Sequence, residues 1–247
     1  NYVLDSVSQQ NAKPVGLSGL QQNKNDYIFG VGAAQFSGIT PGASYVELPA
    51  GAVLDQPSAS GNGLTFAAWV KPGDLVPQVI LASTGFGSDA KAPNKGYGVG
   101  INIVAQGTPA LPTTSTIDVS PTDVTSAGAS TFPGAFKLSN PGNYFDSNRR
   151  TFLVVTVAGG ACHFYVDGQE QSAQQAGACP TITTDNAVRR LGSLVDTSTV
   201  CTTPTCRVNT GFYDYKGLMD EVMIFKKDLG LADIQNIYNY FNARRPQ

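Results

Sequence analysis

Apolar and polar positions along this chain fall into short runs, broken by glycine, proline, asparagine and aspartate, and a helical period is nearly absent. That punctuation predicts strands. The strongest is Leu64-Thr65-Phe66-Ala67-Ala68-Trp69-Val70-Lys71-Pro72. Leu64, Phe66, Ala68 and Val70 share one face and Trp69 lies on the other, so this strand is expected to be central and covered on both sides. Ala33-Ala34-Gln35-Phe36 and Tyr45-Val46-Glu47-Leu48-Pro49 precede it, and Val79-Ile80-Leu81-Ala82 and Tyr97 to Ile103 follow. Phe152 to Val157 and Cys162 to Val166 form a hairpin through Ala158-Gly159-Gly160-Ala161, where glycine can take positive φ. Asp167-Gly168 makes the next turn, and Gly217 to Phe225 is the last strand.

One segment carries the 3.6-residue period. From Leu229 to Tyr238 the pattern predicts a helix, with Gly230 as N-cap and Asp233 at the third helical position, where its charge suits the helix N-terminus. Leu229 and Ile234 occupy hydrophobic-staple positions. Ile234, Ile237, Tyr238 and Phe241 form the apolar stripe expected to lie on the strands, and Arg244 and Arg245 complement the C-terminal end.

Ala105 to Arg150 is dominated by Thr, Ser, Pro, Ala and Gly. Structureless stretches of this length are uncommon inside domains. A decorated surface insertion, a binding loop, an O-glycosylated stretch, and extra edge strands around Ile117-Asp118-Val119 and Ala135 to Leu138 are all open. At 247 residues the chain suits one large β domain, long enough to bury roughly 70–75% of its unfolded surface. Its net charge of −2 gives no footprint for nucleic acid or an anionic membrane, and no apolar run is long enough to insert into a bilayer. The chain begins at Asn1 without methionine, which suggests a processed or excised segment.

Cys162, Cys179, Cys201 and Cys206 all lie in the second half. An even, clustered count fits two local bridges in an oxidising compartment. The favoured pairs are Cys162–Cys179, flanking a hairpin, and Cys201–Cys206, closing a short loop. Zinc is the rival reading, but the spacings are wrong and His163 is the single histidine. No N-glycosylation sequon occurs.

Several segments, in order, resemble laminin-G-like domains of the concanavalin A-like lectin/glucanase superfamily. These are Phe36-Ser37-Gly38 before Tyr45-Val46-Glu47-Leu48-Pro49, then Ala68-Trp69-Val70-Lys71-Pro72 and Tyr97-Gly98-Val99-Gly100. Phe164-Tyr165-Val166-Asp167-Gly168 and the closing Asp220-Glu221-Val222 strand with its helix complete the set. The resemblance implies an all-β fold over residues 1–247: a jelly roll of two antiparallel sheets with a short C-terminal helix. Two features depart from the family pattern. Arg150-Thr151-Phe152-Leu153-Val154 stands where a Trp-x-His-Val strand is usual, and the preceding insertion is longer.

The family mostly supplies adhesion and carbohydrate- or protein-binding modules, often with calcium. Asp220 resembles the residue at the family's signature position. By strand alternation it shares a face with Leu218, Val222 and Ile224 and turns inward near the rim, so it must be charge-paired, hydrogen-bonded to loop amides or bound to a metal. Asp5 or the Phe36-Ser37-Gly38 turn would complete a calcium site. Catalysis finds little support. No Glu-x-Asp-x-x-Glu triplet exists, Asp220 and Glu221 face opposite ways in a regular strand, and His163 has no nucleophile elbow to serve.

The expected function is therefore a secreted or cell-surface module, without catalysis, that binds a glycan or glycosylated partner in attachment. Asn143, Tyr144, Asp146, Tyr213, Asp214 and Tyr215 are its candidate ligand contacts, as loop aromatics beside amides and carboxylates. A structural assembly protein and an accessory domain of a polysaccharide-degrading enzyme are the alternatives.

Overall fold

A computed structural model of the chain describes residues 12–15, 20–38, 44–48, 63–74, 78–83, 97–106, 111–121, 136–140, 145, 149–171, 174–176, 189–193 and 214–245. Fifteen strands among them form two sheets in which every pairing is antiparallel. One sheet runs, in spatial order, β1 (Lys13–Val15), β4 (Tyr45–Leu48), β14 (Arg189–Leu191), β6 (Gln78–Ser83), β7 (Tyr97–Gln106), β8 (Leu111–Pro121), β9 (Phe136–Asn140) and β13 (Gln174–Ala176). The other runs β12 (Gln169–Gln171), β11 (Ala161–Val166), β10 (Thr151–Ala158), β5 (Leu64–Pro72), β15 (Lys216–Phe225), β3 (Ala33–Ser37) and β2 (Leu20–Asn23). The stretch from Ala105 to Arg150 thus supplies β8 and β9, which extend a sheet. Together the sheets make the expected jelly-roll sandwich.

β5 is central, between β10 and β15, and both its faces are covered. Leu64, Phe66, Ala68 and Val70 join Phe36, Val46, Ile80, Leu153, Phe164 and Met219 in the core between the sheets. Each large apolar side chain buried there contributes roughly 1.5–3 kcal/mol. The other face of β5 presents Ala67 and Trp69 to a second buried cluster, with Ile28, Phe152, Val154 and Tyr165. The helix α1 (Leu231–Asn242) closes this cluster with Ile234, and Ile237, Tyr238 and Phe241 pack against it. Gly230 is its N-cap, and Leu229 is buried beside Ile234 as the staple requires. Thr65 pins the approach to the helix: its hydroxyl donates to the Lys227 carbonyl at 2.7 Å and accepts the Leu229 N–H at 2.9 Å. Arg244 donates back to the Tyr240 carbonyl, satisfying one C-terminal acceptor.

Both hairpin turns form as expected. Gly159 and Gly160 have φ of 55° and 80°, and Asp167 and Gly168 have 50° and 75°, the handedness that matches strand twist. The last strand departs from expectation. β15 carries a bulge between Asp220, opposite Trp69, and Met223, opposite Ala67, with Glu221 at φ 48°. The extra residue interrupts the alternation. Asp220 therefore lies on the Trp69 side of the sheet, whereas Val222 and Ile224 pack into the core between the sheets.

Candidate functional site

A cleft of about 460 Å³ opens on the outer face of the second sheet, between the ends of β5 and β10 and the C-terminal end of α1. Register brings its parts together. Thr151 pairs with Val70 and Phe152 with Trp69, so Arg149 and Arg150, just before β10, arrive beside Lys71 on β5. The Asp167-Gly168 turn lies alongside. The backbone N–H of Phe152 donates to Asp167 Oδ1, the Asp167 N–H donates to the Phe152 carbonyl, and Asp167 Oδ2 pairs with Arg149. Gly168 leaves room for the helix: a Cβ there would stand 3.1 Å from the Tyr238 ring.

Asp26 bridges two cations, with Oδ2 at 2.7 Å from Lys71 Nζ and Oδ1 paired with Arg150. From α1 come Tyr238 and Asn242, one turn apart, and Arg245 follows. Tyr238 stacks on Trp69 with ring centroids 5.6 Å apart and planes at 21°, and Trp69 also meets Phe152 at 5.2 Å.

The lining holds four cations, Lys71, Arg149, Arg150 and Arg245, against two carboxylates, Asp26 and Asp167. All four oxygens of those carboxylates are engaged. Two buried donors are not: among the described residues the indole N–H of Trp69, which is 2% exposed, and the Nε of Arg150 have no acceptor. Burial lowers the Arg150 pKa, Asp220 raises it in compensation, and the like charge of Arg245 lowers it further.

Asp220 stands behind this cleft as an anchor. Its Oδ2 accepts the Ile28 N–H at 2.6 Å and the Phe29 N–H at 3.4 Å, and its Oδ1 accepts the Glu221 N–H at 3.1 Å. The segment so held carries Asp26. Burial raises the Asp220 pKa, against the lowering effect of these amides and of Arg150. Glu221 is pushed up to about 7 by burial and by the charge of Asp220. The bulge thus leaves the two carboxylates in electrostatic contact, not isolated on opposite faces. Neither lines the cleft, so they do not flank a bond of a ligand held there.

The geometry around Asp220 does not suit calcium. Calcium takes six to eight oxygens, whereas both Asp220 oxygens already accept N–H groups and a guanidinium interacts with the carboxylate. Among the described residues no three acidic, His or Cys side chains cluster as ligands, and Asp5 lies outside those residues.

Of the expected ligand contacts, Asp214 and Tyr215 are interior residues, 1% and 0% exposed. Tyr215 meets Phe36 edge-on at 5.7 Å and donates its hydroxyl to the Leu218 carbonyl at 2.9 Å, so no rim presents either residue to a ligand. Asn143, Tyr144, Asp146 and Tyr213 lie outside the described residues, as do Cys179, Cys201 and Cys206. Cys162 is disulfide-bonded. His163 sits half-exposed, with Nδ1 2.8 Å from Glu170. The cleft residues were legible singly, as strand, turn and helix-end positions. The sequence signal was arginine doublets in a chain only 14% charged, of which Arg149-Arg150 and Arg244-Arg245 fall at this end of the sheet while a third, Arg189-Arg190, lies on β14 of the other sheet.

A family model described as the concanavalin A-like lectin/glucanases superfamily, of laminin-G type, matches residues 40–235. The chain belongs to that superfamily. No curated protein sequence matches it significantly. Among solved structures, this superfamily member is similar to the binding domain of botulinum neurotoxin DC in complex with rat synaptotagmin II. That likeness has a TM-score of 0.57 and 13% identity, over 97% of this chain and 51% of the other. A second similar structure is described by the dependence of botulinum neurotoxin type C cell entry on two ganglioside molecules, with TM-score 0.56 and 14% identity over 97% and 50%. A third is the DC binding domain in complex with SialylT, at 0.56 and 13% over 95% and 48%. The chain spans about half the length of these structures, and at such identities the likeness is one of fold.

Proposed function

We propose that this superfamily member is an extracellular recognition module without catalytic activity, binding a glycan or glycosylated surface partner in attachment through the cleft beside α1. The observation that carries the reading is the cleft itself. It joins an aromatic wall, the Tyr238 ring stacked on Trp69, to the exposed guanidinium of Arg245, which makes no ion pair among the described residues. Apolar ring faces beside directional polar groups are the chemistry a saccharide needs. The structural neighbours described with a ganglioside or SialylT support a sugar-directed role for this scaffold. The disulfide at Cys162 fits an oxidising compartment. No helix among the described residues is long and apolar enough to cross a membrane.

A glycan array probed with the native chain tests this. Binding to at least one glycan, abolished in Tyr238→Ala with the fold intact by circular dichroism, is the expected result. Absence of binding to every glycan, or undiminished binding by Tyr238→Ala, would overturn it.

A further inference from the structure

Resting on that reading of the cleft, we infer that the saccharide it takes is acidic, with a carboxylate or sulfate substituent seated between Arg150 and Arg245. Each carboxylate oxygen of the cleft already has a partner: Asp26 holds Lys71 and Arg150, and Asp167 holds Arg149 and the Phe152 amide. The cations are less fully matched. Among the described residues Arg245 makes no ion pair, and the Arg150 Nε and the Trp69 indole N–H have no hydrogen-bond partner. Four cations face two carboxylates here, and counting Asp220 behind Arg150 as a third still leaves one cation in excess.

Like charges held together in a partly dry site repel, and an anion placed between them relieves the repulsion while accepting charge-assisted hydrogen bonds. A neutral hydroxyl accepts more weakly and leaves the charge excess in place. Carboxylate and sulfate both match the planar guanidinium fork, so their shared chemistry defines the site. The rest of the sugar has a partner as well, since Tyr238 offers a ring and Asn242 an amide on the helix side of the same cleft.

Trp69 is the single tryptophan of the chain, so its fluorescence reports on this cleft alone. The native protein is titrated at constant ionic strength with glucuronic acid, glucose 6-sulfate, glucose and inorganic sulfate. Saturable quenching or shift by either acidic sugar, at least tenfold tighter than glucose or inorganic sulfate, is the expected result. Whether glucuronic acid or glucose 6-sulfate binds more tightly distinguishes the two sources of charge. In Arg245→Gln, an exposed position beyond the helix end, affinity for the acidic sugar should fall about tenfold, the loss of one charge-assisted hydrogen bond. An equal response to glucose and the acidic sugars would overturn the acidic assignment and leave the cleft as a sugar site. An equal response to inorganic sulfate would overturn the saccharide component. If no titrant responds and the array is also silent, both readings fall. A response unaltered in Arg245→Gln overturns the seat between the two arginines.

Discussion

Asp220 Oδ2 accepts the backbone N–H of Ile28 at 2.6 Å, joining the last strand to a segment 192 positions earlier. Ile28 is fully buried, so its N–H has no water to turn to. We expect Asp220→Ala to cost about 1–3 kcal/mol, because it strands the buried Ile28 N–H, and Asp220→Asn to cost less, because one acceptor survives. Denaturant unfolding measures both. Equal losses for the two variants would mean that the charge, and not the acceptor, carries the contribution.

The neighbouring Glu221 makes stability depend on pH. Its pKa is raised from 4.5 to about 7, first by burial and then by Asp220, whose own value is also raised. A carboxyl with a raised folded pKa holds its proton more tightly in the native state. Its contribution is fully present below the unfolded value, near 4.5, and is lost as pH rises through about 7. The native melting temperature should therefore fall more between about pH 5 and about pH 8 than that of Glu221→Gln. Calorimetry in a single buffer series decides, and parallel slopes would refute the assignment.

Docking of α1 depends on Ile234, which is 0% exposed among Trp69, Phe152 and Leu229. Ile234→Ala should cost about 2–4 kcal/mol through lost transfer energy and a residual cavity. Because the helix covers Trp69, its emission should also shift to the red as the lid loosens. Emission at the native wavelength together with native stability would show that the helix adds little cover.

Calcium should not bind at Asp220, since amides and Arg150 already attend its carboxylate. Calorimetric titration of chelator-treated protein is expected to give no heat, and calcium no rise in melting temperature. A stoichiometric heat that is lost in Asp220→Asn would overturn this expectation, and one that survives it would come from a different site.

How far the fold could be read in advance follows from the range of the forces involved. β5 and α1 were legible because each carries its own period, and the turns at Gly159-Gly160 and Asp167-Gly168 because positive φ is a local requirement. The bulge at Glu221 was not. Whether β15 alternates regularly depends on its register against β5, which places Asp220 opposite Trp69 and Met223 opposite Ala67. Tyr215 was misread for a similar reason. Its polar neighbours suggest a loop, but the tertiary structure buries it against Phe36 next to Gly192, where φ is 81° and a Cβ would stand 2.6 Å from that ring.

The sequence by itself determined the scaffold, since short alternating runs, turn chemistry and one amphipathic stripe each specify an element over a few neighbouring residues. Only the tertiary structure decided the cleft. Asp26, Lys71, Arg150, Tyr238 and Arg245 come from separate segments, and their ion pairs and ring stacking act over a few ångströms in space, a distance that strand register and helix docking create and that no local pattern encodes.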